Sequence, residues 1–332
     1  MARFLRISDE VRDALAARRP VVALETAAVT HGLPREPFAQ LPASIADPAL
    51  PAEVRACFGP STPAHRALGH ALAAAARAEG AVPAVVGMLR GELVVGLTPA
   101  ELDELAEAKD AHKVSARDAA LVAARGGSGG TTVAGTLLAC GLAGVPVFAT
   151  GGIGGVHRGY AVLPDISADL LAIRDASTLV VTAGAKSILD LPATVEMLDT
   201  LGVPLVGLAT PFFPRFLAAG SPDLRVSMEA RDEADAARLY AAHRALHAAR
   251  GMLLCVPPPA AHALPAELME RAIAAGLAEA ERRGVRGPDV TPVLLGAVAQ
   301  DSGGASLAAN LAVLIHNARV GARVAAQLTH LA

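Results

Sequence analysis

With 332 residues, 53% hydrophobic and 18% charged, the chain is long enough to bury a large core and too apolar for a disordered polymer. Its formal charge of −3 gives no reason to expect nucleic acid or a membrane surface as partner. Three scattered cysteines, Cys57, Cys140 and Cys255, make neither a metal-ligand spacing nor an even disulfide set, so a reducing, cytoplasmic setting is expected.

The N-terminus lacks the apolar run of a secretory signal. From there, short valine-rich runs alternate with longer alanine-rich helical stretches, the pattern of an α/β fold. Strands are expected at 21–26, 82–88, 93–96, 145–150, 178–183, 203–208 and 252–256. Helices are expected at 65–78, 99–108, 131–143, 168–174, 193–201, 231–249 and 265–283, with a long C-terminal one from Ser306. Nothing repeats at a fixed period, and residues 1–332 read as one α/β domain. Two segments break the pattern. Residues 38–62 carry Pro42, Pro48, Pro51 and Pro60 and read as an insertion, either loop or lid. Residues 126–156 hold no charge over a length that could span a bilayer, but eleven of them are glycine and Pro146 interrupts them. They read as loop, buried helix, buried strand and loop in series.

Only three of the 29 basic residues are lysines: Lys109, Lys113 and Lys186. A lysine kept against that bias can do what arginine cannot, which is to lose its proton and act as a nucleophile. Lys186 follows a strand and is flanked by Ala183, Gly184 and Ala185, a setting expected to desolvate the amine and favour its neutral form. A free amine there can add to an aldehyde-like carbon and form an imine. Lys113, with Ser115 and Arg117 nearby, suits phosphate as a point charge. Lys109 falls on the polar face of a helix.

Other candidates cluster where strands run into turns, the place where open α/β sheets collect ligands. Glu25 ends an apolar strand expected to be buried on both faces; such a carboxylate is paired, metal-linked or used as an acid of raised pKa. His31 is a weaker signal. In V-F-A-T-G-G-I-G-G-V-H-R-G (147–159) a strand opens into glycine pairs beside Thr150, His157 and Arg158, which suits a phosphorylated or polyhydroxylated ligand. The spacing matches neither a Walker loop nor G-x-G-x-x-G, which excludes nucleoside triphosphate and NAD on this reading. Asp165, Ser167 and Asp169 then open a helix; they are caps and first-turn acids, or Asp165 offers hard oxygen to Mn²⁺ or Mg²⁺.

In order along the chain, L-E-T-A-A-V-T-H-G-L-P, A-V-P-A-V-V-G-M-L-R-G-E-L-V-V-G-L-T, K-V-S-A-R-D, G-G-T-T-V, F-A-T-G-G-I-G-G-V-H-R-G, D-I-S-A-D-L, T-A-G-A-K-S-I-L-D, G-V-P-L-V-G and S-G-G-A-S-L-A-A-N closely resemble the pseudouridine-5′-phosphate glycosidase family, also called indigoidine synthase A-like. The resemblance implies an α/β/α sandwich with a central mixed, largely parallel sheet, assembled as a homotrimer. It implies reversible cleavage of the C–C bond between ribose 5-phosphate and uracil. By matching motif, Lys186 is the covalent lysine and Glu25 the proton donor. Lys113, Val133, Thr150, His157, Ser167, Asp169 and Asn310 contact substrate, Asn310 at the base. Asp165 holds Mn²⁺ or another divalent cation through a water-rich shell. The chain departs from the family at Thr26, Ala27 and Ala28, at Ala116 in place of an arginine, and over 38–62. These departures motivate a second expectation, a C-glycoside synthase joining ribose 5-phosphate to another ring. A non-catalytic sugar-phosphate binder is the remote third.

Overall fold

The computed structural model describes residues 3–162, 164–285 and 290–331. Eleven strands form one sheet: β1 (Leu5–Ile7), β2 (Val21–Leu24), β3 (Val82–Leu89), β4 (Glu92–Val95), β5 (His112–Val114), β6 (Gly129–Thr131), β7 (Val147–Ala149), β8 (Leu179–Thr182), β9 (Leu205–Leu208), β10 (Met228–Ala230) and β11 (Met252–Cys255). Their order is β1-β4-β3-β2-β7-β8-β11-β9-β10, with β6 pairing β3 and β5 pairing β6. Among the strand pairs of the described residues, only β3–β4 and β3–β6 are antiparallel. This is the expected mixed, largely parallel sheet. Strands β2, β3, β8 and β11 are buried along their whole length, which is why they read as unbroken apolar runs and not as alternation.

Successive side chains of one strand feed opposite layers, as the strand period of two requires. Val21 and Ala23 join a core built with α1 (Asp9–Ala16), α6 (Ala116–Ala124), α7 (Val133–Ala143), α8 (Asp169–Asp175), α9 (Leu191–Thr200), α11 (Ala266–Arg282) and α12 (Val290–Asp301). Val22 and Leu24 join a second core with α2 (Ala43–Ala46), α3 (Ala52–Ala56), α4 (Ala64–Ala78), α5 (Pro99–Glu107), α10 (Glu233–Leu246) and most of α13 (Ala305–Thr329). Helices on both faces of one sheet make the α/β/α sandwich. The uncharged stretch 126–156 resolves into β6, α7, β7 and a glycine-rich loop. Among the described residues no helix is long and apolar enough to cross a membrane, and none of the three cysteines is paired.

Helix α13 organises the second layer. Its Gly321 lets it close on the sheet, since a Cβ there would stand 3.1 Å from both Ala149 Cβ and Val22 Cγ2. Arg319 Nε donates to Glu79 beyond α4 at 2.6 Å, and Arg323 Nε donates to Glu233 of α10 at 2.7 Å. The same helix receives the proline-rich segment. Residues 38–62 contain α2 and α3, and Ile45, Val54 and Phe58 are buried in the second core. Ser44 Oγ donates to the Ala308 carbonyl at 2.8 Å, and the Phe38 and Phe58 rings lie 6.3 Å apart. In this structure the segment is packed against α4 and α13 through apolar anchors that its irregular spacing hid.

Because Phe58 is 4% exposed, Phe58→Ala should cost about 3 kcal/mol in chemical denaturation through the cavity it leaves. A loss below about 0.5 kcal/mol, the surface-substitution range, would mean that the segment contributes nothing to the fold.

Candidate active site

The site is assembled from residues just past the C-terminal ends of neighbouring parallel strands. Leu24 of β2 is in register with Ala149 of β7, and Ala149 with Val181 of β8. Glu25 and Thr150 therefore emerge side by side, and Lys186 follows from the next strand over. Thr150, itself 1% exposed, donates its hydroxyl to Glu25 Oε1. The Lys186 N–H donates to the Ile153 carbonyl at 3.1 Å, which ties the lysine turn to the glycine-rich turn after β7. Gly184 at φ 83° permits that turn; a side chain there would meet the Pro214 carbonyl.

A knot of hydroxyl groups holds the Glu25 strand end. Thr26 Oγ1 donates to the Val86 carbonyl at 2.6 Å and accepts from the Thr131 N–H at 3.2 Å, while Thr131 Oγ1 donates to the same carbonyl at 2.9 Å. The bond that Thr26 makes needs only a hydroxyl. The knot brings β6 against β2, so close that a Cβ at Gly130 would lie 2.6 Å from the Thr26 carbonyl. Lys113 of β5 pairs with Gly130 and so arrives one strand away from Glu25.

Asp169 is 8% exposed and braces two pieces of this surface. Its Oδ1 accepts from the Ala134 N–H at 3.0 Å, in the first turn of α7, and its Oδ2 from the Gly154 N–H at 2.9 Å in the glycine-rich turn. Val133 starts the same α7 turn and is buried. Ser167 accepts from the Asp169 N–H at 3.2 Å, and its own N–H donates to the Gly155 carbonyl at 2.9 Å. His157 and Asp165 lie further out on the strip that pairs 155–157 with 165–167, with the His157 N–H on the Asp165 carbonyl at 2.9 Å and Nδ1 3.8 Å from Asp165 Oδ2. Asn310 is half-buried on α13, seven residues before Asn317 and thus on the same helix face.

The electrostatics follow from this packing. Burial of the Glu25 carboxyl pushes its pKa above the ordinary glutamate range. Lys186, the Thr150 hydroxyl and Lys113 pull it back, and the Asp169 charge pushes it further up. The same four groups are the ones that chain topology brings around Glu25. Asp165 stands as a single carboxylate with a histidine beyond direct bonding distance, and among the described residues no group of three or more His, Cys, Asp or Glu is placed to hold a metal. One carboxylate offers a divalent ion no protein cage, and an ion held there would keep most of its water.

Two expectations need correction. Lys186 is flanked by buried Ala185 and Ser187, but its own side chain is exposed, so the apolar neighbours do not desolvate it. Arg158, read with the anion-binding turn, is instead turned toward Glu270 of α11 at 3.3 Å and the Ser187 carbonyl at 3.5 Å.

The indigoidine synthase A like protein family model matches residues 57–327. The chain belongs to this family. Relatives within it include the pseudouridine-5′-phosphate glycosidases of Herpetosiphon aurantiacus, 44% identical over 98% of both chains, and Chloroflexus aurantiacus, 45% identical over 98% of this chain and 99% of the relative. Among solved structures, the prealnumycin C-glycosynthase AlnA in complex with ribulose 5-phosphate is similar with a TM-score of 0.84 at 38% identity, covering 99% of this chain and 98% of AlnA. The indigoidine synthase A-like protein of Thermotoga maritima is similar with a TM-score of 0.79 at 29% identity, covering 98% and 97%. These relatives are enzymes, and this member of the indigoidine synthase A-like family is an enzyme too.

One polar residue of this family member escaped sequence reading. Asn317 is 1% exposed in α13 and donates its amide to the Thr150 carbonyl at 2.7 Å and the Gly151 carbonyl at 3.4 Å. A buried asparagine in a helix interior is a signal that could have found it.

The raised pKa of Glu25 fixes the sign of a stability effect. Folding favours the protonated acid, so the favourable contribution is complete below the ordinary value of roughly 4.3 and is lost as pH rises through the raised one. Glu25→Gln should therefore unfold at a higher temperature than wild type at pH 8, with the gap closing toward pH 4. A melting-temperature difference independent of pH would contradict that burial.

Proposed function

We propose that this enzyme makes and breaks the C–C bond between ribose 5-phosphate and a heterocyclic base, uracil of pseudouridine 5′-phosphate in the first instance, through an imine on Lys186. The observation that carries this reading is the meeting of Glu25, Lys186, Thr150, Asp169 and Lys113 at adjoining strand ends, with Glu25 held as an acid of raised pKa.

A leaving carbon, unlike a leaving oxygen, has no lone pair for a general acid to protonate, so the electron sink must be the sugar. Glu25, protonated, gives its proton to the ring oxygen O4′ as the C1′–O4′ bond breaks and its electron pair passes to that oxygen. The Lys186 amine, in its unprotonated form, bonds to C1′ and passes a proton to the Glu25 carboxylate. The C1′–C5 bond then breaks, its pair going to uracil C5, which takes up that proton from Glu25. The nitrogen lone pair forms C=N as the base departs. Water hydrolyses the imine to ribose 5-phosphate and restores the lysine. The sum is pseudouridine 5′-phosphate plus water giving uracil and ribose 5-phosphate, and every step is reversible. Arginine, always protonated, cannot replace Lys186 in it.

In this scheme Lys113, His157, Ser167 and Asp169, with Val133 and Thr150, bind the sugar phosphate, and Asn310 faces the base. Asp165 would hold a divalent cation, Mn²⁺ in the first instance, which would supply positive charge to the sugar-phosphate site. The enzyme acts as a homotrimer. A second reading has one specific support, the similarity to AlnA: the same sugar chemistry run toward synthesis with a ring other than uracil. Ala27 and Ala28, in the wide turn that follows Glu25, are where such a change of ring would register.

Borohydride added with ribose 5-phosphate should leave a reduced adduct on the Lys186 peptide, and Lys186→Arg should lose the adduct and lower kcat by roughly a thousandfold or more. An unmodified Lys186 peptide in an active preparation would sink the imine. Mass detection of products from ribose 5-phosphate and a panel of heterocycles separates the two readings. Mn²⁺ titrated by electron paramagnetic resonance should bind wild type and not Asp165→Ala; equal binding by both would remove the metal from Asp165.

A further inference from the structure

The ladder between β2 and β7 ends at Leu24 and Ala149, because beyond that point Glu25 turns into the site. The Thr150 N–H bonds to the Val181 carbonyl of β8 at 2.9 Å, but the next donor along that chain, the Ala183 N–H, passes over the Thr150 carbonyl and bonds to that of Gly151 at 2.9 Å. Among the described residues the group that satisfies the Thr150 carbonyl is the Asn317 amide, at 2.7 Å, which reaches the Gly151 carbonyl as well. We propose that Asn317 is a positioning residue of the site: it stands in for the missing strand partner and so fixes the backbone that aims the Thr150 hydroxyl at Glu25. The role rests on the function proposed above for Glu25.

Three features single this residue out. It is 1% exposed among buried aliphatic neighbours of α13, such as Ile315 and Ala318, where an asparagine is costly. Its Oδ1 is buried with no partner among the described residues, a further cost of about 1–3 kcal/mol. The orientation is fixed by chemistry, because reversing the amide would set Oδ1 against two carbonyl oxygens. A residue serving stability alone would be better as leucine; what asparagine adds is a donor at the one backbone carbonyl beside the acid. Gly321, four residues on, lets the helix come close enough for so short a side chain to reach.

The test is Asn317→Leu, alone and combined with Thr150→Val. Loss of the donor should lower kcat roughly five- to tenfold, the worth of one hydrogen bond, with little change in KM. The two losses should not add, since both remove the same hydroxyl contact. Glu25 also faces Lys186, Lys113 and Asp169, none of which the substitution alters. A freed Thr150 hydroxyl therefore lets the Glu25 titration midpoint rise. That midpoint, read by carbon NMR on glutamate-labelled protein and assigned with Glu25→Gln, needs no turnover. If wild type fails to cleave or form a C-glycoside yet the midpoint rises, the proposed function falls and the positioning role stands. Normal turnover with an unmoved midpoint and additive losses overturns the role. Should the leucine variant not fold, Asn317→Ser, too short to reach, is read in the same way.

Discussion

The hydrogen bond between the Thr150 hydroxyl and the Glu25 carboxyl depends on two parallel strands ending in register, and the placement of the acid depends on that bond. A carboxyl group at the end of a fully buried strand has few ways to persist: it is paired, or it holds its proton. Here both operate. Burial favours the acid, and Thr150 with the two lysines limits how far the balance moves. The resulting group is a carboxyl whose protonated form the fold favours.

Keeping such a group in place demands stiffness from elements that are themselves loops. The structure obtains it by cross-bracing with short polar bonds where the ladder stops. Thr26 and Thr131 share the Val86 carbonyl on one side, and Asp169 spans the start of α7 and the glycine turn on the other. Asn317 closes the far side from α13. Each brace satisfies a backbone group that the end of a strand, the start of a helix or a turn leaves open, so the same bonds complete the local polar accounting and hold the site's segments together. Stability and positioning are not separate tasks in this region.

The sequence made the central strands legible because burial on both faces writes continuous apolar runs, as in Val21–Leu24 and Val82–Leu89. It hid β1, β5, β6 and β10, each three residues long and too short to show any period. Two of these matter to the site, since β5 carries Lys113 and β6 brings it beside Glu25. Helices α1, α6 and α12 were missed as well, and the helices of the proline-rich segment were masked by breakers. Among candidate residues, those standing at strand ends were readable from position alone. Asn317 was not, because its task is set by a carbonyl 167 residues away that no local pattern announces. The exposure of Lys186 was likewise invisible: apolar flanks are a property of the turn, and where the side chain projects is decided by tertiary packing.

On the proposed chemistry, the arrangement bears on how one scaffold serves relatives named for cleavage and for synthesis. The imine belongs to the sugar, and among the groups around it Ser167, Asp169 and the α7 turn are braced against one another by bonds between side chain and backbone that leave little room for change. The ring lies outside that frame, toward Asn310 and the turn at Ala27 and Ala28, where side chains are half-buried and tied by fewer bonds. Microscopic reversibility makes the lysine, the acid and the phosphate ligands common to both directions. Selection between rings must then act through the loosely held side, while direction is set by which partners are present and by water's access to the imine. A change of product therefore leaves the Glu25–Thr150–Asn317 line intact, and that line is the part of the site the rest of the sheet is built to hold.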